Sequence, residues 1–228
     1  MIRIRQRCPL KENRETFFAR LAKPPFSHVL TSRDMTRIEL MYVLAKYGHR
    51  GQVRKTVADG GEPLRYFEHP RGVSLILIDE LGLADVTAII LALGHDCDED
   101  SDQITASLIS EALGGDIAFR LRLLSKRGKT KDEYLPLLHQ YGDWITLVVK
   151  AADRLHNLRS LPSDNEAFCR KQVKETREKY LTLFHRMVDI TPSGLRETTQ
   201  KILMLIEQIV GEYEDRFRTI DTAASATP

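Results

Sequence analysis

Cysteine is scarce. The 228 residues hold three, Cys8, Cys97 and Cys169, at no paired spacing, which excludes a disulfide framework and a thiolate metal site and makes a reducing cytoplasm the expected compartment. Excess charge is lacking too: a formal net charge of +2 is too small for a general nucleic-acid binder. No segment approaches the roughly 20 apolar residues that cross a bilayer. The basic start, residues 1–7, leads into no apolar run of signal-peptide length, and Glu12 and Glu15 interrupt the next stretch of chain. These absences predict a soluble, cytoplasmic protein with no membrane partner. With 42% apolar residues the chain can bury one sizeable core, and it reads as a single domain over 1–228.

What the chain does have is three separated clusters of acids and histidines: Glu68-His69-Pro70, His95-Asp96-Cys97-Asp98-Glu99-Asp100, and Lys150 to Asn157. His69, the His95-Asp96 doublet and Asp153 together supply two imidazoles and two carboxylates. That mixed nitrogen and oxygen set suits manganese or zinc better than a thiolate-preferring ion. The middle cluster grows out of an apolar stretch, residues 84–94, that reads as a buried helix continuing into His95. On such a helix Asp96, Glu99 and Asp100 share one face. Four acids in five residues repel one another and are easiest to tolerate beside a cation. In the third cluster Lys150, Asp153, His156 and Asn157 follow one stripe of an otherwise apolar helix. A plain Lys150–Asp153 ion pair is the competing reading, and it leaves the His-Asp doublet unexplained.

Hydrophobic periodicity is helical nearly throughout, so the fold class is all-α. Residues 36–47 present a broad apolar face, 48–70 form a loop rich in glycine and charge, and helices follow at about 71–82, 84–98, 104–124 with a break near Gly114-Gly115, 131–141, 143–160 and 165–188. A last helix spans about 193–218. Residues 221–228 lack bulky apolar groups and are expected to be a disordered tail.

In chain order, His49-Arg50-Gly51-Gln52-Val53-Arg54-Lys55, Gly61-Glu62-Pro63, His69-Pro70, His95-Asp96 with Glu99-Asp100, and Ala152-Asp153-Arg154-Leu155-His156-Asn157-Leu158-Arg159 resemble the hydrolase domain of the RelA/SpoT homologue family. The resemblance spans about residues 35–185 and has many parts, which makes it far more specific than one His-Asp doublet. It implies an HD-type helical bundle with a central metal site, in which one manganese ion is held by His69, His95, Asp96 and Asp153. It further implies that Glu99 and Asp100 act at the attacking water and that Arg54, Lys55 and Asn157 contact the nucleotide. The implied reaction removes the 3′-pyrophosphate of guanosine tetra- or pentaphosphate, adenosine analogues being a further option. Roughly seventy residues follow Arg159, too few for a synthetase domain of ordinary size, so a stand-alone hydrolase is expected.

Three departures accompany the resemblance. Residues 56–60 are an insertion, Leu64 stands where the family has a tyrosine after Glu-Pro, with Tyr66 and Phe67 displaced toward His69, and Ser101 replaces a threonine. Two rival readings share the ligand set: a general HD-type nucleotide phosphohydrolase, and a non-catalytic alarmone-binding or antitoxin module. Intact Glu99 and Asp100 argue against the second.

Overall fold

The computed structural model describes residues 12–57 and 63–225. The basic start, part of the expected insertion, Cys8 and the last three residues lie outside them.

The chain opens with α1 (Arg14–Leu21), α2 (Phe26–Val29) and α3 (Ser32–Gly48), and a two-stranded hairpin of β1 (Val53–Val57) and β2 (Pro63–Arg65) follows. Next come α4 (Glu68–Leu75), which runs on into a π-helical turn over Ile76–Glu80, then α5 (Val86–Gly94) and the single turn α6 (Cys97–Asp100). The middle of the chain holds α7 (Ala106–Leu113), α8 (Gly115–Leu124), α9 (Lys131–Tyr141) and α10 (Trp144–Arg159). The chain ends with α11 (Glu166–Glu175), a second π-helical turn over Thr176–Tyr180, α12 (Leu181–Ile190) and α13 (Arg196–Ser225).

Local chemistry sets these starts. Thr31 and Asp34 form a reciprocal cap on α3, and the side chains of Asp85, Thr105, Asp143 and Asn165 accept from the first free amides of α5, α7, α10 and α11. Each such cap is worth about 1 kcal/mol. Gly114, at φ +101°, makes the turn between α7 and α8, a backbone state that side chains disfavour.

The core is built on α5. All six residues from Ala88 to Leu93 are fully buried, and α3, α4, α8 and α10 pack around them. Burying each Ile or Leu there contributes about 1.5–3 kcal/mol. Behind α10 lie α12 and α13, whose Ile202, Ile206, Val210 and Tyr213 are buried. Arg154 holds this layer in place. Its guanidinium donates to Thr176 Oγ1 at 2.8 Å and to Gln172 at 3.0 and 3.1 Å, and it stacks 4.3 Å over the Tyr180 ring. Arg159 similarly pairs with Glu80 on the first π turn at 2.5 Å.

Helical architecture, the break at Gly114 and the spans of α9 and α10 agree with the sequence reading. Four details differ. Residues 48–70 contain a hairpin, paired Val53 to Arg65 and Val57 to Pro63 with a register irregularity between. His69 sits in the first turn of α4, where Pro70 costs no intrahelical amide bond. The helix expected over 84–98 stops at Gly94: His95 Nδ1 takes the Ala92 carbonyl at 2.9 Å, satisfying one of the acceptors a helix end leaves open, and α6 restarts at Cys97. Finally, α13 continues to Ser225, so 221–225 are not a tail. There Asp221 pairs with Arg170 at 2.7 Å and Ser225 Oγ donates back to the Asp221 carbonyl at 2.9 Å. Among the described residues no helix is long and apolar enough to cross a membrane.

Asp143 ties α10 to α8, accepting from Thr146 N at 2.9 Å and from Arg120 at 2.7 and 3.0 Å. Burial would push its carboxyl up, but the Arg120 and Thr146 hydrogen bonds hold it below the ordinary value. A depressed carboxyl stabilises the fold above about pH 4 and loses that contribution as pH falls through its native pKa. Asp143→Ala is therefore expected to cost about 1–2 kcal/mol at neutral pH, with the gap to wild type closing in acid. Denaturant unfolding across pH checks this, and a pH-independent gap contradicts it.

Candidate metal centre

Four donor atoms from three helical segments meet at the end of α5. His69 Nε2 on α4 lies 3.2 Å from His95 Nε2, 3.1 Å from Asp153 Oδ1 and 3.5 Å from Asp96 Oδ2. His95 Nε2 lies 3.2 Å from Asp96 Oδ2 and 3.6 Å from Asp153 Oδ1. Nitrogen and oxygen ligands about 2.0–2.2 Å from one ion stand roughly 3.0–3.6 Å from one another, so the spacing fits a single divalent cation. His69, His95 and Asp96 each offer a ligand atom within 4.8 Å of the others, and Asp153 closes the set through its two imidazole contacts.

Each donor is aimed by a neighbour. The His95 Nδ1–H bond to the Ala92 carbonyl leaves Nε2 as the inward nitrogen. Lys150 Nζ donates to Asp153 Oδ2 at 2.7 Å and Asn157 Nδ2 to Asp153 Oδ1 at 2.6 Å. The ion pair that competed with the metal reading thus exists, and it coexists with the inward Oδ1. Lys150 is 4% exposed; burial would strip its proton, but the Asp153 charge keeps the ammonium.

The electrostatics ask for positive charge at the centre. Burial would neutralise His95, yet the Asp96 charge, with hydrogen bonds to Asp153 and Asp96, pushes its pKa up to about 10. Burial and then the Arg54 charge take His69 down to about 4. Asp96 and Asp153 are both held ionised despite burial, Asp96 by His95 and Asp153 by Lys150. The proton that Asp96 and Asp153 draw onto His95 marks a demand for positive charge, which a divalent ion would meet in its place with His95 neutral and its Nε2 lone pair free to ligate.

The acidic run does not share one face. Asp96 turns to the centre, whereas Asp98 pairs with Arg122 at 3.0 Å. Glu99 accepts from the Lys126 amide at 3.0 Å, with Lys126 Nζ 4.0 Å away. Asp100 Oδ2 accepts from Tyr66 Oη at 2.7 Å, and the same hydroxyl lies 2.9 Å from Asp96 Oδ2. The α8–α9 segment therefore neutralises much of the cluster, and of the Glu99-Asp100 pair Asp100 is the one joined to a metal-site carboxylate.

Arg54 and Asn157 do come together. Arg54 Nη2 donates to Asn157 Oδ1 at 3.0 Å, so one amide links the rim cation to Asp153. Lys55 belongs to β1, and its side chain lies outside the described residues.

Two site residues escaped assignment from sequence. Tyr66, read as displaced, stacks on His49 with ring centroids 4.7 Å apart and reaches both Asp96 and Asp100; its place three residues before His69, in the turn entering α4, was the available signal. His156 Nδ1 lies 3.0 Å from His69 Nδ1, and its spacing of three from Asp153 had already put it on the site-facing stripe.

As a candidate ligand Asp153 has two separable jobs, turning Oδ1 toward the centre and balancing Lys150 through Oδ2. Asp153→Ala is expected to abolish divalent-metal binding and also to cost about 3–5 kcal/mol by leaving Lys150 buried without a partner. Adding Lys150→Met should restore much of that stability and none of the metal binding. Arg54→Ala should keep the metal. Calorimetric metal titration with thermal unfolding separates the two jobs, and metal binding by Asp153→Ala at wild-type affinity contradicts the assignment.

No protein-family model matches the chain. Curated relatives do. A guanosine-3′,5′-bis(diphosphate) 3′-pyrophosphohydrolase of Aquifex aeolicus is 38% identical over 157 residues, covering 66% of this chain and 21% of the relative. The GTP pyrophosphokinase rsh of Brucella melitensis is 35% identical over 190 residues, 73% of this chain and 24% of the relative. The bifunctional (p)ppGpp synthase/hydrolase SpoT of Escherichia coli K12 is 29% identical over 167 residues, 69% of this chain and 23% of the relative. The matched segment thus spans under a quarter of the length of these relatives. Among solved structures, a metazoan orthologue of SpoT superposes with a TM-score of 0.53 at 24% identity, over 80% of this chain and 96% of that one, which shows a common fold. With its ordered motifs assembled at one centre, the chain belongs to the RelA/SpoT homologue family and carries that family's HD-type domain.

Proposed function

We propose that this domain hydrolyses the 3′-pyrophosphate of guanosine tetra- and pentaphosphate, releasing pyrophosphate and GDP or GTP, with one manganese ion held by His69, His95, Asp96 and Asp153. Adenosine analogues fall within the same chemistry. The observation that carries the reading is the convergence of two imidazole nitrogens and two carboxylate oxygens, all within 3.1–3.6 Å of their opposite numbers, beside an arginine–asparagine pair on the rim. The names borne by the Aquifex and Escherichia relatives support the choice of substrate.

When bound, the ion supplies Lewis-acid stabilisation of phosphate oxygens and acidifies water. The protein's own groups do the rest. Asp100, steadied by the Tyr66 hydroxyl, accepts the proton of the water that attacks phosphorus as the bond to the ribose 3′-oxygen breaks, and that oxygen leaves as the 3′-hydroxyl by taking a proton from solvent. Glu99, one residue earlier, orients that water once its carboxylate leaves the Lys126 amide, since catalytic hydrogen bonds tighten in the substrate complex. Arg54 and Lys55 offset phosphate charge, and Asn157 offers an amide to the nucleotide. The compartment we assign is the cytoplasm, in keeping with three cysteines at no paired spacing.

The test is the purified chain with manganese and guanosine tetraphosphate, products resolved by ion exchange. Wild type is expected to release pyrophosphate, and chelation to stop it. Glu99→Gln and Asp100→Asn should each retain metal and nucleotide affinity while kcat falls on the order of 10²–10⁴-fold, the usual worth of a positioned acid or base. Wild-type turnover in either variant removes that residue from the mechanism. Tight nucleotide binding without pyrophosphate release from wild type replaces the enzyme with a binding module.

A further inference from the structure

We infer that His156 is a positioning residue that sets which ring nitrogen of His69 carries hydrogen, and so whether His69 offers a lone pair to a divalent cation. The inference rests on the reading of His69 as a ligand. The two Nδ1 atoms are 3.0 Å apart, with ring centroids 4.8 Å apart and planes at 60°. A neutral imidazole has one N–H and one lone pair, so a hydrogen bond between two ring nitrogens needs one hydrogen between them.

Two arrangements satisfy that contact. In one, His69 carries its hydrogen on Nε2, directed at Asp153 Oδ1 3.1 Å away, and His156 donates from Nδ1. In the other, His69 Nε2 is a lone pair facing His95, Asp96 and Asp153, the His69 hydrogen sits on Nδ1, and His156 accepts. Each ring moves one hydrogen and the net charge is unchanged. Only the second arrangement lets His69 ligate through Nε2, and it requires His156 to hold its own hydrogen on Nε2. Hydrogen-bond partners of ligating histidines fix the tautomer in this way and typically carry 10–100-fold in metal affinity.

The fold makes room for this ring. Gly72, three residues after His69 on α4, has no side chain, and a Cβ there would stand 2.3 Å from His156 Nε2 and 2.7 Å from Cδ2. Gly72→Ala must therefore displace the ring without altering any ligand. The helix that presents the ligand also carries the gap that admits its partner.

The experiment uses the full chain, stripped of metal and titrated with manganese by calorimetry. His156→Phe is expected to bind manganese 10–100-fold more weakly than wild type, Gly72→Ala to be weakened similarly, and His156→Asn, whose amide oxygen can take the place of the accepting Nδ1, to recover most of the loss. In the wild-type protein loaded with diamagnetic zinc, nitrogen-15 spectra should place the His69 hydrogen on Nδ1. Wild-type affinity in a folded His156→Phe, or a zinc-loaded His69 with its hydrogen on Nε2, overturns the inference. Should His156→Phe not fold, Gly72→Ala and the wild-type spectrum decide. Failure of the underlying metal reading is distinct, because wild-type protein would then bind no manganese.

Discussion

A partly buried carboxylate, Asp96, and a buried one, Asp153, face two buried imidazoles, and the surrounding structure is arranged around keeping those charges ionised yet compensated. Removing such groups from water costs several kcal/mol per ion unless each finds partners. Asp153 finds Lys150 and Asn157 on its own helix, and Asp96 finds His95 and the Tyr66 hydroxyl. The inward oxygens stay aimed at one point. Packing holds the arrangement in place: α5 is buried from Ala88 to Gly94 and sealed by α3, α4, α8 and α10, so the helix that leads into His95 has little freedom to move.

The same need for compensation explains why the acidic run is tolerated. Asp98, Glu99 and Asp102 are met by Arg122, Lys126 and Arg127 from the α8–α9 segment, leaving Asp96 and Asp100 to share one tyrosine hydroxyl. A single hydroxyl hydrogen between two carboxylates couples a metal-site residue to a residue at the proposed water. Burial, and then the Asp96 charge, push the Tyr66 phenol far above its ordinary range, so it remains a donor. On the other flank, Arg54, Asn157 and Asp153 form a chain from rim to centre, so that the rim cation and the candidate metal centre are mechanically joined.

Much of this was legible in the chain. The residues proposed as ligands stood out because histidines and acids at the ends of apolar helices need a reason to be there, and Gly114-Gly115 announced the break between α7 and α8. The rest depended on contacts between distant segments. Nothing local says that Glu99 will meet Lys126, 27 residues on, or that Tyr66 and not Leu64 will face Asp96, since the hairpin's irregular register decides that. Periodicity carried 84–98 through as one helix because it does not see His95 turning back on the Ala92 carbonyl. His156 lay on the predicted stripe, but its partner His69, 87 residues earlier, is visible only once α4 and α10 are packed.

The most direct measurement is anomalous diffraction from crystals of the chain soaked in manganese, recorded near the metal's absorption edge. A four-ligand centre predicts one strong peak among His69 Nε2, His95 Nε2, Asp96 Oδ2 and Asp153 Oδ1, at about 2.0–2.3 Å from each. A peak elsewhere, or none at saturating manganese with those four side chains unmoved, contradicts it.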